Sequence, residues 1–489
     1  MIINILCSGP AGKGINFISS FVSYTFAKAG YYVFSSREYE SRVRGGNNYN
    51  LISISDFPIR SNLSKFDVLI ALDKKSVLIH KERMKKDFFL VREEDNLKAA
   101  ACLFKMFSLP ILEFKESLKR FNVSFSSEIE RSFNEENRKI ISLKLRKSHI
   151  KTFSGNKSLA GGMIDGGMKF YYAYPMTPAT GLLNEVVAAK SSCFGIEMES
   201  EIAAANAAVG SSICGEISVV GTSGGGFDLM IETLSLAGMA RIPVVFYLAQ
   251  RAGPSTGAPT LTSQGDLSDA LYSGHGEFAR IVMAVGDGED CIQMPSELFH
   301  LTQEFMVPGI LLSDKHVVES VYSFDRDFLV KKVYSKIKWP SRFNSYESDS
   351  RKISDDSVKN MIKNAKERVG LFKKIEKSIK RPFAFYGKKG KNLIVSWGST
   401  KGAILDAIKE INCGFMQIRY LAPFSRKIEK EIAKAENLIV VENNATSPLS
   451  SLIQEKTGIV IKEKNKILKF DGRPFFSDEL RKEIIRRLL

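Results

Sequence analysis

Tyr-Pro-Met-Thr-Pro (174–178), Glu-Met-Glu-Ser-Glu (197–201), Gly-Thr-Ser-Gly-Gly-Gly-Phe (221–227) and Gln-Arg-Ala-Gly-Pro-Ser-Thr-Gly-Ala-Pro-Thr (250–260) follow one another through the middle of this 489-residue chain. Apolar runs at 170–174, 217–221, 243–249 and 280–284 read as strands, and the small-residue-rich stretches 200–215 and 224–240 read as closely packed helices. Strands alternating with helices predict a parallel sheet covered on both faces. In such folds the loops after the strands bind ligands.

Working outward, residues 2–7 read as a strand, Ser-Gly-Pro-Ala-Gly-Lys-Gly (8–14) as a turn, 15–29 as a helix, and 31–35 and 68–71 as further strands. Gly9, Gly12 and Gly14 stand where strand becomes helix. They form either a tight turn or a seat for an anion on the helix N-terminus. Their spacing is neither GxGxxG nor a P-loop. Ser-Arg-Val-Arg-Gly-Gly-Asn-Asn (41–48) reads as an anion-binding loop, and 85–150 as a helical segment followed by a linker. Beyond 330 a basic, mostly helical connector precedes a third α/β unit, with strands at 391–397, 415–418 and 437–442. The expected division is 1–153, 154–330, a connector 331–385, and 386–489.

Composition narrows the function. The hydrophobic fraction of 44% suffices for real cores. No apolar run approaches the ~18–20 residues of a membrane helix, so no membrane partner is expected. Six scattered cysteines form no CxxC pair, so neither a zinc nor an iron–sulfur site is expected on this chain. Free cysteines also suit a cytoplasmic protein. The net charge of +16 is unevenly spread. Residues 155–330 hold 8 Lys/Arg against 20 Asp/Glu, while 331–390 hold 18 against 6. That pattern suggests docking of an acidic partner, or a solvated lysine face, rather than a nucleic-acid groove.

Glu201 opens an alanine-rich helix. It reads either as a charge favoured at a helix N-terminus or as a functional carboxylate, with Glu197 and Glu199 as competitors. Arg251 is one of few cations in an acidic region and follows a strand, where a guanidinium can grip a carboxylate in a planar fork. Thr177, Thr256 and Thr260 lie in Pro/Gly-rigidified turns and can donate to a carbonyl or carboxylate. Ser223 and Gly224 begin a glycine turn against which a flat ring or phosphate can lie. His275, flanked by glycines, reads as an exposed loop residue.

Together these segments resemble the α subunit of 2-oxoacid:ferredoxin oxidoreductases with the γ subunit fused in front. The Arg251–Thr260 motif is the most specific part of the likeness. The Gly9–Gly14 turn and Arg44-Gly45-Gly46 resemble the γ domain. Gly398-Ser399-Thr400, Pro423-Phe424, Glu442-Asn443-Asn444 and Asp471-Gly472-Arg473-Pro474-Phe475 resemble the family's transketolase-C-terminal-like domain. Two departures are Gly225, where the family commonly has proline, and Ala-Thr-Ser-Pro-Leu after Asn444.

The resemblance implies three α/β domains: an N-terminal γ-type domain, a thiamine-diphosphate pyrimidine-binding domain and a transketolase-C-terminal-like domain. Glu201 would hydrogen-bond N1′ of the aminopyrimidine and set its tautomer, with Pro175, Ser223 and Gly224 also against the cofactor. Thr177 and Arg251 would hold the 2-oxoacid, with Thr256 and Thr260 close by. Mg²⁺ and a [4Fe–4S] cluster would sit on a separate β subunit, in a heterodimer or a dimer of heterodimers. The implied reaction is oxidative decarboxylation of a 2-oxoacid, 2-oxoglutarate first, to acyl-coenzyme A and CO₂, with electrons passed to ferredoxin. Pyruvate, branched-chain acids and indolepyruvate are the alternative substrates. A non-catalytic scaffold and a thiamine enzyme without ferredoxin are the alternative functions.

Overall fold

A computed structural model describes residues 1–39, 46–146, 149–338 and 342–488. Three sheets organise the chain. Among the described residues no helix is long and apolar enough to cross a membrane.

The second sheet positions the site. Its strands run in the order Tyr420–Ala422, Ile281–Ala284, Gly309–Asp314, Val245–Gln250, Ser218–Thr222, Phe170–Ala173 and Phe194–Glu197. All pair in parallel except Tyr420–Ala422, which the C-terminal region adds antiparallel to the edge. Val245–Gln250 and Gly309–Asp314 are buried at every position, as expected for central parallel strands covered on both faces. The expected long helix at 224–240 is two, Gly224–Asp228 and Ile231–Ala240. Helix Glu201–Ile213 is capped by Ser200, whose side chain accepts from Ala203 N at 3.2 Å. Its alanines 204, 205 and 208 are fully buried, so the helix lies close on the sheet. Of the paired glycines 161 and 162, only Gly162 marks a close approach. A Cβ there would lie 2.4 Å from Ile292 O and 2.6 Å from Cys291 O of helix Gly288–Phe305.

The first sheet differs from the expected parallel arrangement. Ile2–Pro10 pairs in parallel with Phe66–Ala71 but antiparallel with Asn47–Ser55 over nine residues. Asn47–Ser55 pairs antiparallel again with Tyr32–Glu38. Met84–Arg92 is an edge strand rather than the start of a helical segment. The other edge is built from Val321–Phe324 and Lys151–Ser154, so this sheet takes strands from well along the chain. The arginine–glycine loop expected at 41–48 lies outside the described residues as far as Gly45.

In the third sheet the order is Phe383–Gly387, Gly414–Ile418, Asn392–Ser396, Asn437–Glu442, Lys466–Leu468, parallel except at the first strand. The basic connector contains one helix, Val358–Ser378. Its remaining described residues before that helix are irregular rather than helical.

Candidate active site

Four adjacent parallel strands of the second sheet, Phe194–Glu197, Phe170–Ala173, Ser218–Thr222 and Val245–Gln250, deliver the four sequence segments to one carboxyl edge. Segments dispersed over some eighty residues of sequence thus become neighbours, at the edge where open α/β sheets bind ligands.

Glu201 is 5% exposed, whereas Glu197 and Glu199 are exposed. No described residue hydrogen-bonds its carboxylate. It lies against the glycine turn of the neighbouring strand: a Cβ on Gly226 would stand 2.8 Å from Glu201 Oε1 and 2.1 Å from Thr222 Oγ1. Ser223, in the same turn, is fully buried, and its Oγ has no hydrogen-bond partner. Burying the Ser223 hydroxyl with no partner among the described residues is costly, so it and the neighbouring Glu201 mark a place built for a polar ligand edge. Pro175 and Gly224 are half-buried on the rim. Around them Tyr174, Ile202 and Leu229 expose large apolar side chains, at 40%, 53% and 52%.

Arg251 Nη1 donates to the Thr177 backbone oxygen at 2.9 Å, which joins two of the expected substrate residues. Burial pulls the Arg251 guanidinium below its ordinary value, and Asp266 acts in the opposite direction. The cavities divide the remaining residues. Thr177 and Thr260 line one of about 820 Å³, together with the Pro10–Gly14 turn, Asn16 and Arg37 of the first sheet. Gly12 and Gly14 of that turn have φ of 90° and 73°, which favour glycine. Thr256 lies instead in an adjoining cavity of about 440 Å³, which it shares with Thr260 and Arg473. Arg251 and Gly224 face a third, of about 430 Å³, against the Asn444–Thr446 turn. Thr256 therefore shares a cavity with Thr260 but with neither Thr177 nor Arg251. His275 is exposed.

Two residues of consequence escape the sequence reading. Gln264 is fully buried and locks the site to the C-terminal region. Its Nε2 donates to Trp397 O at 2.7 Å, and its Oε1 accepts from Asn443 N at 2.7 Å. Glu442 anchors the same turn, accepting from Trp397 Nε1, Ser447 Oγ, Leu449 N and Asn444 Nδ2. Within the Ala-Thr-Ser-Pro-Leu sequence after Asn444, Ser447 and Leu449 are thus tied down, while Ala445 and Thr446 are exposed. Asp266 is the second residue, and its carboxyl is pushed up to about 7 by burial, then by Asp269 and Asp228. The available signal was a Gln-Gly-Asp run directly after the threonine loop.

Comparison with known proteins places this geometry. Residues 161–370 match the family "Pyruvate flavodoxin/ferredoxin oxidoreductase, thiamine diP-bdg", and residues 4–148 match "Pyruvate ferredoxin/flavodoxin oxidoreductase". A 2-oxoacid:ferredoxin oxidoreductase subunit alpha of Sulfolobus is 27% identical over 615 residues, covering 99% of this chain and 97% of the relative. The 2-oxoglutarate synthase subunit KorA of Archaeoglobus fulgidus is 30% identical over 321 residues, covering 60% and 88%. A solved 2-oxoglutarate:ferredoxin oxidoreductase of Magnetococcus marinus, bound to 2-oxoglutarate, coenzyme A and succinyl-CoA, superposes with a TM-score of 0.90 over 100% of both chains at 22% identity, a likeness of fold. A thiamine-diphosphate-binding region on a doubly covered parallel sheet, behind a second region that matches the pyruvate ferredoxin/flavodoxin oxidoreductase family, makes this chain a member of the 2-oxoacid:ferredoxin oxidoreductase family, of the alpha-subunit type.

Proposed function

We propose that this chain, with a separate β subunit, carries out coenzyme-A-dependent oxidative decarboxylation of a 2-oxoacid, 2-oxoglutarate in first place, and passes the electrons to ferredoxin in the cytoplasm. The observation that carries the reading is Glu201, a largely buried residue whose carboxylate no described residue hydrogen-bonds, against Gly226 at the carboxyl edge of the second sheet. Glu201 and the orphaned Ser223 Oγ fit the aminopyrimidine of thiamine diphosphate: one accepts from a ring N–H, the other offers a hydroxyl to a ring edge. Bound there, the cofactor supplies a carbon nucleophile and an electron sink for the carboxylate's bond to the carbonyl carbon.

The chain's own residues then have distinct tasks. Glu201 holds the proton at N1′ and so fixes the tautomer. Arg251, steadied by the Thr177 carbonyl, faces the carboxylate that will leave as CO₂. Thr177 and Thr260, lining one cavity with the first sheet, orient the carbonyl, and Thr256 holds the loop from its far side. The exposed apolar rim of Tyr174, Ile202 and Leu229 supports docking of the β subunit, to which Mg²⁺ and the [4Fe–4S] cluster are assigned.

The test is 2-oxoacid-dependent reduction of a low-potential dye, with coenzyme A, by this chain co-expressed anaerobically with its β subunit. Pyruvate, 2-oxoglutarate, 2-oxoisovalerate and indolepyruvate are compared beside Glu201→Gln. Coenzyme-A-dependent activity that is lost in the variant supports the reading. Full activity in Glu201→Gln would sink the assignment of Glu201, and no activity from a complex with cofactor and cluster in place would favour a scaffold.

A further inference from the structure

Asp266 follows the threonine loop and has no part in the reaction as described above. It precedes helix Leu267–Tyr272 and lines the cavity of about 430 Å³ that holds Arg251, Gly224 and Gly225. Its backbone N–H donates to Gln250 Oε1 at 3.0 Å, and Gln250 Nε2 in turn donates to Ser313 O at 3.1 Å. Gln250 immediately precedes Arg251, so Asp266 is held in the cavity that the guanidinium also lines, although the two form no direct ion pair among the described residues. Gly224 leaves room for its carboxylate: a Cβ there would lie 2.9 Å from Asp266 Oδ2. Asp266 Oδ2 and Arg251 Nε are both buried, and neither has a hydrogen-bond partner among the described residues.

The charges around Asp266 are few. Asp228 ends helix Gly224–Asp228, Asp269 lies on helix Leu267–Tyr272, and Arg251 is the only cation lining this cavity among the described residues. On the C-terminal side Asn444, Ala445, Thr446, Phe470 and Gly472 bring no ionisable group. Burial, Asp269 and Asp228 hold the Asp266 carboxyl near neutrality, against Arg251.

We propose that Asp266 is a positioning residue for the substrate clamp: it is the counter-charge of Arg251, and its protonation sets how much positive charge Arg251 presents to the carboxylate of the 2-oxoacid. This rests on Arg251 being the clamp. Protonated Asp266 leaves the guanidinium uncompensated and ready for the substrate. Ionised Asp266 competes for it. Affinity for the 2-oxoacid therefore falls as pH rises through the titration of Asp266.

The experiment is the pH profile of KM and kcat for the 2-oxoacid in the intact complex, from about pH 5.5 to 9. In the parent, KM is expected to rise about five- to tenfold across neutrality, the order of effect of one charge appearing beside a partly buried ion. Asp266→Asn should keep the low KM throughout, with kcat changed far less than KM. A KM that still rises in Asp266→Asn overturns the proposal, as does a flat KM in the parent. Should Asp266→Asn fail to assemble, Asp269→Asn serves. Removing its exposed charge should move the midpoint of the KM rise to lower pH, and an unmoved midpoint overturns the proposal. Arg251→Ala separates the two ideas. If it leaves KM unchanged the clamp reading itself fails; if it raises KM while Asp266→Asn retains the parental profile, only the role of Asp266 fails.

Discussion

Replacing Lys401 by methionine should destabilise the chain far more than the loss of one surface charge. Lys401 lies on helix Thr400–Ala407 of the third sheet's layer, with its side chain 3% exposed. Its Nζ reaches Asp287 at 2.8 Å and Asp290 at 3.0 Å, both at the start of helix Gly288–Phe305. Asp290 also accepts from Gly286 N at 2.9 Å and from Gln417 Nε2 at 2.6 Å. Methionine keeps the unbranched stem but leaves two buried carboxylates without their lysine, with Arg419 the remaining cation that acts on Asp290. Removing one partner of a buried ion pair costs about 3–5 kcal/mol.

For the 489-residue chain unfolding as one unit that corresponds to a fall in Tm of about 3–5 °C, read by calorimetry and by fluorescence of buried Trp397. The pH dependence gives a second check. Burial works to raise Asp290, and Lys401 and then Arg419 outweigh it, so its carboxyl sits below the ordinary 3.8. In the parent that stability is present above 3.8 and is lost as pH falls through the folded value. Without the lysine the largest opposition to burial is gone, and the carboxylates gain more by protonation than in the parent. The deficit of the variant relative to the parent therefore shrinks toward acid. Lys401→Met/Asp287→Asn/Asp290→Asn should recover most of the loss, since asparagine also caps a helix. A Tm within about 1 °C of the parent, or a deficit that grows toward acid, refutes the reasoning.

Gly226→Ala places a Cβ 2.1 Å from Thr222 Oγ1 and 2.8 Å from Glu201 Oε1, so it should cost about 1–3 kcal/mol of stability and weaken thiamine diphosphate binding by at least about tenfold. Titration of the cofactor into the apo complex measures this, and unchanged affinity counts against the site. Gln264→Leu strands Trp397 O and Asn443 N in the interior, with an expected loss of about 2–4 kcal/mol. Hydrogen exchange should rise first at residues 443–447; uniform protection there would contradict the lock. Burial, with Arg83 next, holds His80 down to about 4 from 6.5. The unfolded chain takes up that proton first, so stability should decline as pH falls from 6.5 toward 4, and His80→Gln should flatten the decline in acid unfolding curves.

Much of the central region was legible because its strands are continuous apolar runs ending in turns of restricted composition. Residues 437–442 were placed to the residue. Of three candidate glutamates the helix-initiating one, Glu201, is the buried one, because a capped helix docks on the sheet just there. The first sheet was harder. Asn-Asn-Tyr-Asn at 47–50 has poor strand propensity, yet it forms a strand because neighbours on both sides pair with it in register. Met84–Arg92 carries exposed lysines that suit a protected sheet edge but imitate a helical surface. Asp266 drew no attention because its character comes from Gly224, Asp228 and Arg251, brought together only by folding.

Strand donation across the chain has a consequence for biosynthesis. The first sheet takes in Val321–Phe324, which pairs with Tyr32–Glu38 and carries the edge strand Lys151–Ser154, and the second is edged by Tyr420–Ala422. Neither sheet can be completed when the residues of its own core leave the ribosome. The nascent N-terminal unit must wait for nearly 270 further residues after Ser55, on the order of 15–55 s at ~5–20 residues per second. Through that interval Tyr32–Glu38 presents an unpaired backbone edge. The growing chain therefore depends on something transient to shield that edge, and truncations that stop short of residue 324 should emerge aggregation-prone even with every residue of the first sheet's core present.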